Sequence, residues 1–289
     1  MNDRLKGKVA IITGAGRHKG LGEAIAKRFA SESCDVVITD IGAPSGPHLT
    51  ADNIGTSAEM DEVAEGIRKH ARAIGAVGRV FTMTCDVRSE ADIQCTVGNT
   101  VAKCGRLDIV VNNAGIGYIM KSMLEFSVEE WDIILDVNLR GPFLFTKHAA
   151  LQMIKQNEAG AGKGGRIINI ASQAAKSAAP NLIPYTSSKH GLVGLTRVAA
   201  VELGKHGITV NAVCPNHVTT GLGAKQNVFR GKVLGKDTAG VLEFRKGKIP
   251  LGRVGLPEDT ANACLFLASD EADYITAEAM NVSGGEEMH

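Results

Sequence analysis

Residues 9–30 read VAIITGAGRHKGLGEAIAKRFA and join two kinds of secondary structure through a glycine-rich turn. The first five residues, Val9 to Thr13, form an apolar run rich in β-branched side chains, which is typical of a short buried strand. From Gly22 to Ala30 the apolar residues recur with helical spacing. A strand, a glycine-rich turn and a helix in this order predict a site for a phosphate-bearing ligand, because glycines let the backbone approach closely and the helix N-terminus offers free N–H groups.

The same alternation of elements continues along the chain. We predict strands at 9–13, 36–39, 80–83, 107–111, 166–170, 208–213 and 279–282, and helices at 22–30, 59–74, 90–104, 129–156, 185–205 and 259–267. Pro142 predicts a kink in the helix that contains it. Strands rich in Val and Ile with helices between them indicate a parallel sheet covered on both faces. The predicted fold class is therefore α/β, a doubly wound parallel sheet of the Rossmann type. No linker divides the chain, so residues 1–289 are expected to form a single domain.

Composition excludes several classes of function. Lys and Arg number 32 and Asp and Glu 31, so the net charge is +1, and no basic excess favours binding to nucleic acid or to an anionic membrane. The six cysteines form no Cys-x-x-Cys pair and no histidines stand at zinc-ligand spacing, so no metal site is expected. No apolar run approaches the roughly 18 residues that span a bilayer, and the polar N-terminus is unlike a signal peptide. We expect a cytoplasmic protein with neither nucleic-acid nor membrane partners.

Charges near the glycine turn bear on the choice between NAD and NADP. Asp40 ends the second predicted strand 18 residues beyond Gly22, close to the offset of about 20 at which an acid accepts hydrogen bonds from a ribose. A carboxylate there also repels a 2′-phosphate, whereas Arg17, His18 and Lys19 could hold one. Because Asp40 would face that phosphate directly, we predict NAD, with NADP as the less favoured cofactor. The strict G-x-G-x-x-G spacing fails, since Lys19 stands in place of the third glycine.

Tyr185 and Lys189 form a pair suited to proton transfer. They lie one helical turn apart, so both side chains project from one face of the predicted helix. Hydride transfer to or from a carbonyl carbon requires a proton on the oxygen, and a free phenol titrates near 10, too high for efficient exchange at neutral pH. A cation within about 4–6 Å lowers that pKa. Ser172 follows a predicted strand and can hydrogen-bond the substrate oxygen.

Together these motifs resemble the short-chain dehydrogenase/reductase family over nearly the whole chain. The family's T-G-x-x-x-G-x-G turn is matched by Thr13, Gly14, Gly20 and Gly22, with two extra residues between them. Its further motifs are matched in order by Asp86 after Cys85, Asn112-Asn113-Ala114-Gly115, Asn138, Ser172, Tyr185-x-x-x-Lys189, Pro250-Leu251-Gly252-Arg253, Pro257-Glu258-Asp259 and Asn281-Val282-Ser283-Gly284-Gly285. The resemblance implies hydride transfer between NAD and a secondary alcohol or ketone, with Tyr185 as the general acid/base.

The resemblance also implies the role of each site residue. The implied catalytic residues are Asn138, Ser172, Tyr185 and Lys189. The implied cofactor-binding residues are Gly14, Arg17, Gly20, Leu21, Asp40, Asp86, Val87, Asn113, Ala114, Gly115, Tyr185, Lys189, Pro215 and Val218. The implied substrate-binding residues are Ser172, Tyr185 and His217. Lys189 would also hold the nicotinamide ribose, Asp86 would contact adenine, and Asn138 would anchor a water for a proton relay.

Three features depart from the family's pattern. The glycine turn is two residues longer than usual. Asn216 follows Pro215 where the family usually has glycine, and because Asn is the residue that best tolerates positive φ after glycine, we expect the turn to be kept. Residues 42–58 also form a longer loop than usual, as in some subfamilies that act on terpenoid or similar alcohols.

Two longer segments predict motion and assembly. Residues 216–250 contain six glycines and show no clean period, so we expect a mobile substrate lid that carries most of the specificity. The helices at 129–156 and 184–205 carry apolar residues on more than one stripe, although a helix covering a sheet needs one apolar face. The surplus predicts a homotetramer; the alternative is that residues 216–250 of the same chain cover part of it.

Two other functions stay open. An enoyl-thioester reductase also has a stretched glycine turn, although its Tyr and Lys stand further apart than Tyr185 and Lys189. A catalytically inactive regulator that binds a dinucleotide would be expected to lose Tyr, Lys or Ser, and all three are kept here. No motif identifies the alcohol or ketone, the stereochemistry or the physiological direction.

Overall fold

The computed structural model describes residues 3–162 and 164–288. Its strands form one seven-stranded sheet in the order β3-β2-β1-β4-β5-β6-β7, and every neighbouring pair is parallel. The strands are β1 (Val9–Thr13), β2 (Asp35–Asp40), β3 (Val80–Thr84), β4 (Ile109–Asn112), β5 (Gly165–Ile170), β6 (Ile208–Pro215) and β7 (Ala279–Val282). This order belongs to the doubly wound fold, whose strand order reverses between β1 and β4. The predicted fold class is confirmed.

The described residues form nine α-helices, which pack on both faces of the sheet. They are α1 (Leu21–Ala30), α2 (Ser57–Ala73), α3 (Glu90–Cys104), α4 (Val128–Leu135), α5 (Gly141–Glu158), α6 (Ile183–Leu203), α7 (Gly221–Leu234), α8 (Thr238–Lys246) and α9 (Pro257–Ala268). In the described part of the chain, no helix is long and apolar enough to span a membrane.

Alternation along the strands builds two cores. Ala10 and Ile12 of β1 pack with residues of α1, α2 and α9, whereas Ile11 between them packs with residues of α3 and α5. Successive side chains of a strand point to opposite faces, so a strand that is apolar throughout requires helices on both sides. This is why the Val- and Ile-rich strands carry no polar alternation.

The helix expected over 129–156 is interrupted. Residues 136–140 have π-helical hydrogen bonding, in which the Gly141 amide donates to the Asp136 carbonyl, and Pro142 lies in the first turn of α5. Proline has no N–H, so Pro142 cannot supply the amide that an α-helix would give to the carbonyl of Asn138. The predicted kink is therefore a π-bulge just before the proline, and Asn138 lies inside it.

Residues 216–250 are more regular than their sequence indicates. They contain α7 and α8, whose first turns are capped by the side chains of Thr220 and Asp237. Gly235 ends α7 in the left-handed conformation that glycine favours at this position. These two helices were not predicted from the sequence, in which residues 216–250 show no clean period, and the two caps stabilise their first turns.

The point where the strand order reverses is fixed by side-chain hydrogen bonds. The Thr13 hydroxyl, at the end of β1, accepts from the amides of Asn113 and Ala114, both at 3.0 Å. The Asn113 side chain donates back to the carbonyls of Thr13 and Gly14, at 2.8 and 2.9 Å. Ligands bind in doubly wound folds at this crevice beyond the carboxyl ends of the strands. The motif after β4 thus holds the glycine turn in place.

Candidate active site

The glycine turn meets β4 without space for side chains. A Cβ on Gly14 would lie 2.6 Å from the Cα of Ala114, and Gly14 has φ of +62°. The α1 helix begins after Gly20, and no described side chain caps its first turn. Its free N–H groups and the positive end of the helix dipole suit a pyrophosphate. The turn therefore fits the dinucleotide that the sequence predicts.

The two extra residues of the turn are held by acidic side chains of the flanking helices. Lys19, which replaces the third glycine of the strict motif, adopts the left-handed conformation with φ of +57°. Its amide donates to the carboxylate of Glu23 on α1, and the His18 amide donates to Glu59 on α2 at 3.0 Å. Arg17 lines the cleft. The segment with the two extra residues thus packs against α1 and α2, and Gly14 and Gly20 on either side of it still line the cleft.

Asp40 lies at the end of the cleft in a position fixed by the backbone. Its carboxylate accepts from the amides of Gly16 and Ile41, both at 3.0 Å, and of Gly55 at 3.1 Å. Burial raises the pKa of Asp40, and these three amides oppose that shift. A Cβ on Gly16 would lie 2.8 Å from the Cβ of Asp40. Both glycines therefore allow the backbone to enclose this carboxylate at the place expected for the adenosine ribose.

The cleft is lined by ten of the predicted cofactor residues. They are Gly14, Arg17, Gly20, Leu21, Asp40, Asp86, Val87, Asn113, Ala114 and Gly115. Asp86 is not free, because Arg88 binds its carboxylate through the backbone amide and the guanidinium. A carboxylate has further acceptor positions, so this ion pair orients Asp86 without blocking it.

A second cavity of about 530 Å³ adjoins the cleft and contains the predicted chemistry. The remaining predicted site residues in its wall are Ser172, Tyr185, Lys189, Pro215, His217 and Val218. The two cavities share Leu21, Asn113, Gly115, Thr220 and Leu222. A cofactor in the cleft and an alcohol in the cavity would therefore meet at this shared wall.

Tyr185 and Ser172 lie together in the wall of this cavity. Lys189 lies 5.7 Å from the centre of the Tyr185 ring and donates to the carbonyl of Ile170 at 2.8 Å. Burial raises the pKa of Tyr185, whereas the neighbouring side chain of Ser172 opposes the shift. Burial also lowers the pKa of Lys189 to about 8. The expected lowering of the pKa of the Tyr185 phenol is therefore not met, because the loss of solvent on burial outweighs the favourable contacts.

Asn138 stands behind the cavity and lines neither space. Its side chain accepts from the Ile116 amide at 2.8 Å and donates to the Ile116 carbonyl at 2.8 Å and to Ser188 at 3.1 Å. These bonds use both amide hydrogens. The backbone carbonyl of Asn138 lacks the amide donor that an α-helix would supply, because residue 142 is a proline.

Comparison with known proteins agrees with this geometry. A family model described as enoyl-(acyl carrier protein) reductase matches residues 14–287. A short-chain dehydrogenase/reductase of Armillaria gallica is 40% identical over 282 residues, covering 97% of this chain and 96% of that protein. The mitochondrial borneol dehydrogenase of Lavandula x intermedia is 39% identical over 283 residues, covering 98% and 91%. The chain belongs to the short-chain dehydrogenase/reductase family. The crystal structure of carveol dehydrogenase from Mycobacterium avium in complex with NAD, another similar protein, matches with a TM-score of 0.84 at 32% identity, covering 98% of both chains.

As a short-chain dehydrogenase/reductase, the protein is an oxidoreductase with an unusual residue after β6. Asn216 is not among the described residues with positive φ, so the expectation that it preserves a glycine-like turn was wrong. Its side-chain amide instead donates to the backbone carbonyl of Ser283 at 2.8 Å and to the carboxylate of Glu286 at 3.0 Å. Asn216 therefore ties the segment after β7 to the rim of the cavity.

Three residues of this short-chain dehydrogenase/reductase site were missed by sequence reasoning. Gly117 lies against the Tyr185 ring, where a Cβ would be 2.6 Å from the ring carbon Cδ2. Lys225 on α7 donates to the carbonyl of Asp52 at 2.9 Å across the cleft. Arg245 on α8 lines the substrate cavity. A glycine two residues after the N-N-A-G motif was a signal for Gly117, whereas Lys225 and Arg245 lie in helices that the sequence did not predict.

Proposed function

We propose that this protein oxidises a secondary alcohol to a ketone, or catalyses the reverse reaction, with NAD as its cofactor. The observation that carries the proposal is the position of Tyr185. Its phenol lines the substrate cavity with Ser172 and Lys189, and this cavity shares a wall with the cofactor cleft. A phenol in such a cavity can exchange a proton with the oxygen of an alcohol while hydride leaves the carbon.

The cofactor would be held by groups that the fold presents for that purpose. NAD, when bound, supplies the hydride acceptor or donor. The N-terminus of α1 would bind its pyrophosphate, and Asp40 would accept hydrogen bonds from the adenosine ribose while repelling a 2′-phosphate. Lys189 uses one N–H on Ile170 and keeps donors for the nicotinamide ribose. The related carveol dehydrogenase, which was crystallised with NAD, supports this choice.

The chain's own residues would perform the proton transfer. In the oxidation direction the Tyr185 phenol would first release its own proton to a water relay, and the resulting phenolate oxygen would take the hydroxyl proton of the alcohol. Ser172 would hydrogen-bond the same substrate oxygen. The ammonium of Lys189 favours the phenolate by Coulomb attraction. The Asn138 carbonyl would hold the water through which the proton leaves. In the reduction direction the same groups return the proton to the ketone oxygen.

Residues 216–250 would form the lid over this site. Two contacts of α7 support the assignment, because Lys225 reaches the loop at 42–58 and Gln226 donates to the Gly117 carbonyl at 3.2 Å. The first contact crosses the cofactor cleft and the second lies beside Tyr185. Closure of α7 would thereby exclude water from both cavities. A cytoplasmic location stays a prediction of the sequence.

The assembly proposed is a homotetramer. Phe143 and Leu151 on α5 are 48% and 58% exposed, and Val198 and Val201 on α6 are 59% and 81% exposed. These side chains are exposed in a structure that includes α7 and α8, so residues 216–250 of the same chain do not cover them. Light scattering should give about four times the chain mass of 30.4 kDa. Val201→Asp should lower that mass, whereas Val77→Asp, at another exposed position, should not. A stable monomer would overturn the proposal, and a dimer would overturn its second interface.

The activity is tested by measuring NAD reduction across alicyclic, aromatic and steroid alcohols, with enoyl thioesters assayed for reduction in parallel. We expect oxidation of at least one class of secondary alcohol. The description of the matching family model favours the thioester alternative, whereas the Tyr185-x-x-x-Lys189 spacing and the relatives named as dehydrogenases favour alcohols. Reduction of enoyl thioesters alone would overturn the proposal. Cofactor binding without turnover of any substrate would instead support a regulator.

A further inference from the structure

The substrate cavity contains a buried arginine that has no partner among the described residues. Arg245 on α8 is 8% exposed, and its guanidinium makes no hydrogen bond or ion pair with any residue in the described part of the chain. Its Nε atom is fully buried and unsatisfied. A buried charge is costly unless a counter-charge or hydrogen bonds compensate it. Such a group in a binding cavity indicates that its partner arrives with the ligand.

The other charged groups of the cavity compensate Arg245 only in part. Burial, together with repulsion by Arg230 on α7, lowers the pKa of Arg245 to about 10, and attraction to Glu286 offsets part of that shift. Glu286 is the carboxylate in the described wall, and its side chain already accepts from the Asn216 amide at 3.0 Å. Lys248 is exposed and lies over the Phe244 ring at 4.6 Å. The cavity therefore has an excess of positive charge.

The remaining titratable groups of the wall add no negative charge. Burial, with Arg245 and Arg230 nearby, lowers the pKa of His217 to about 3, so its imidazole is neutral at physiological pH. Tyr185 is a neutral phenol because burial raises its pKa, and Lys189 is a cation below pH 8. An anion that enters the cavity would thus meet cations and neutral hydrogen-bond donors.

We propose that the alcohol substrate carries a carboxylate, which binds the guanidinium of Arg245 with support from Arg230. This inference rests on the proposed function, since it names the class of alcohol that the same cavity accepts. A guanidinium matches a carboxylate through two parallel hydrogen bonds. The charges of the cavity favour a ligand with a single negative charge. Glu286 offsets about one of the two arginines and Lys248 is screened by solvent, so about one positive charge is left for the ligand to neutralise. A phosphate ester, with nearly two charges, matches this balance less well.

The proposal is tested with 3- and 4-hydroxycyclohexanecarboxylate, their methyl esters and the corresponding hydroxycyclohexyl phosphates. The acid should be oxidised with a kcat/KM higher than that of its ester by on the order of 10²-fold, because the ester leaves Arg245 unpaired. Arg245→Gln should remove most of this preference, and Arg245→Lys should restore part of it. Arg72→Gln, at an exposed position of α2, is the matched control and should keep it.

A binding measurement keeps the test independent of turnover. Calorimetry should show that cyclohexanecarboxylate binds the NAD-saturated wild type and that cyclohexanecarboxamide binds at least tenfold more weakly. Arg230→Gln, which leaves Arg245 in place, should weaken carboxylate binding in case Arg245→Gln does not fold. Equal use of acid and ester, or a preference for the phosphate, would overturn the carboxylate while leaving the proposed function intact. If no alcohol is oxidised but the carboxylate binds through Arg245, the proposed function fails and the binding site stands.

Discussion

Gly117 offers a test of how closely the activity depends on the position of the Tyr185 ring. A Cβ at residue 117 would lie 2.6 Å from Cδ2 and 2.7 Å from Cε2 of that ring. Ordinary contacts begin near 3.4 Å, so the ring must retreat by about 0.8 Å in Gly117→Ala. The ring is half-buried in the wall of the substrate cavity, so its retreat moves the hydroxyl away from the reacting position. A misplacement of about 1 Å at a reacting group can cost on the order of 10²-fold in rate.

We therefore expect Gly117→Ala to lower kcat by on the order of 10²-fold while the affinity for NAD changes little, since Gly117 lines neither cavity. Steady-state kinetics on a secondary alcohol and calorimetric titration with NAD would measure the two quantities. Gly98→Ala on α3 is the control, because a Cβ there meets nothing within 4 Å. The reasoning would be refuted by a folded Gly117→Ala protein with near-normal kcat.

Three further predictions concern the cofactor, the pH dependence and the lid. Asp40→Ser should raise the ratio of kcat/KM for NADP to that for NAD by about 10- to 100-fold, because the carboxylate no longer repels the 2′-phosphate; a wild type that already prefers NADP would show that the cations of the turn dominate. The value of kcat/KM for NAD, which reports ionisation of the free enzyme, should fall above pH 8 as Lys189 loses its proton. In Lys189→Arg, kcat/KM should no longer fall above pH 8. If the fall is unchanged, the ionisation belongs to another group. Trypsin should cut the ligand-free protein first within residues 216–250, with protection by NAD plus substrate, and a first cut elsewhere would argue against a mobile lid.

The sheet was predictable because each strand is bounded by a strong local signal. Runs such as Val9 to Ile12 are apolar at every position, which burial on both faces of the sheet requires. The motifs at strand ends also predicted residues that the fold brings together, since Asn113 and Gly14 meet wherever β1 and β4 are neighbours. Local sequence patterns were therefore sufficient to predict residues whose role depends on the backbone near a strand end.

The rest of the site depends on contacts between distant segments. The helix α7 has a weak apolar period and α8 is short, and their caps at Thr220 and Asp237 are single residues without a distinctive context. Arg245 can be assigned to the substrate cavity only when the position of α8 is known. The pKa of Tyr185 depends on how completely the fold excludes water from its hydroxyl. The conformation of Asn216 likewise follows from Ser283 and Glu286, which are more than sixty residues away.

The central claim is that Tyr185 exchanges the proton with the substrate oxygen. The most direct measurement compares the rate of NADH formation in a single turnover between the wild type and Tyr185→Phe, with an alcohol that the wild type oxidises. The account predicts a rate lower by about 10²–10⁴-fold or more, with NAD affinity unchanged within a few-fold, because the phenylalanine ring keeps the packing and loses the hydroxyl. A Tyr185→Phe protein that forms NADH at a near-normal rate would contradict it.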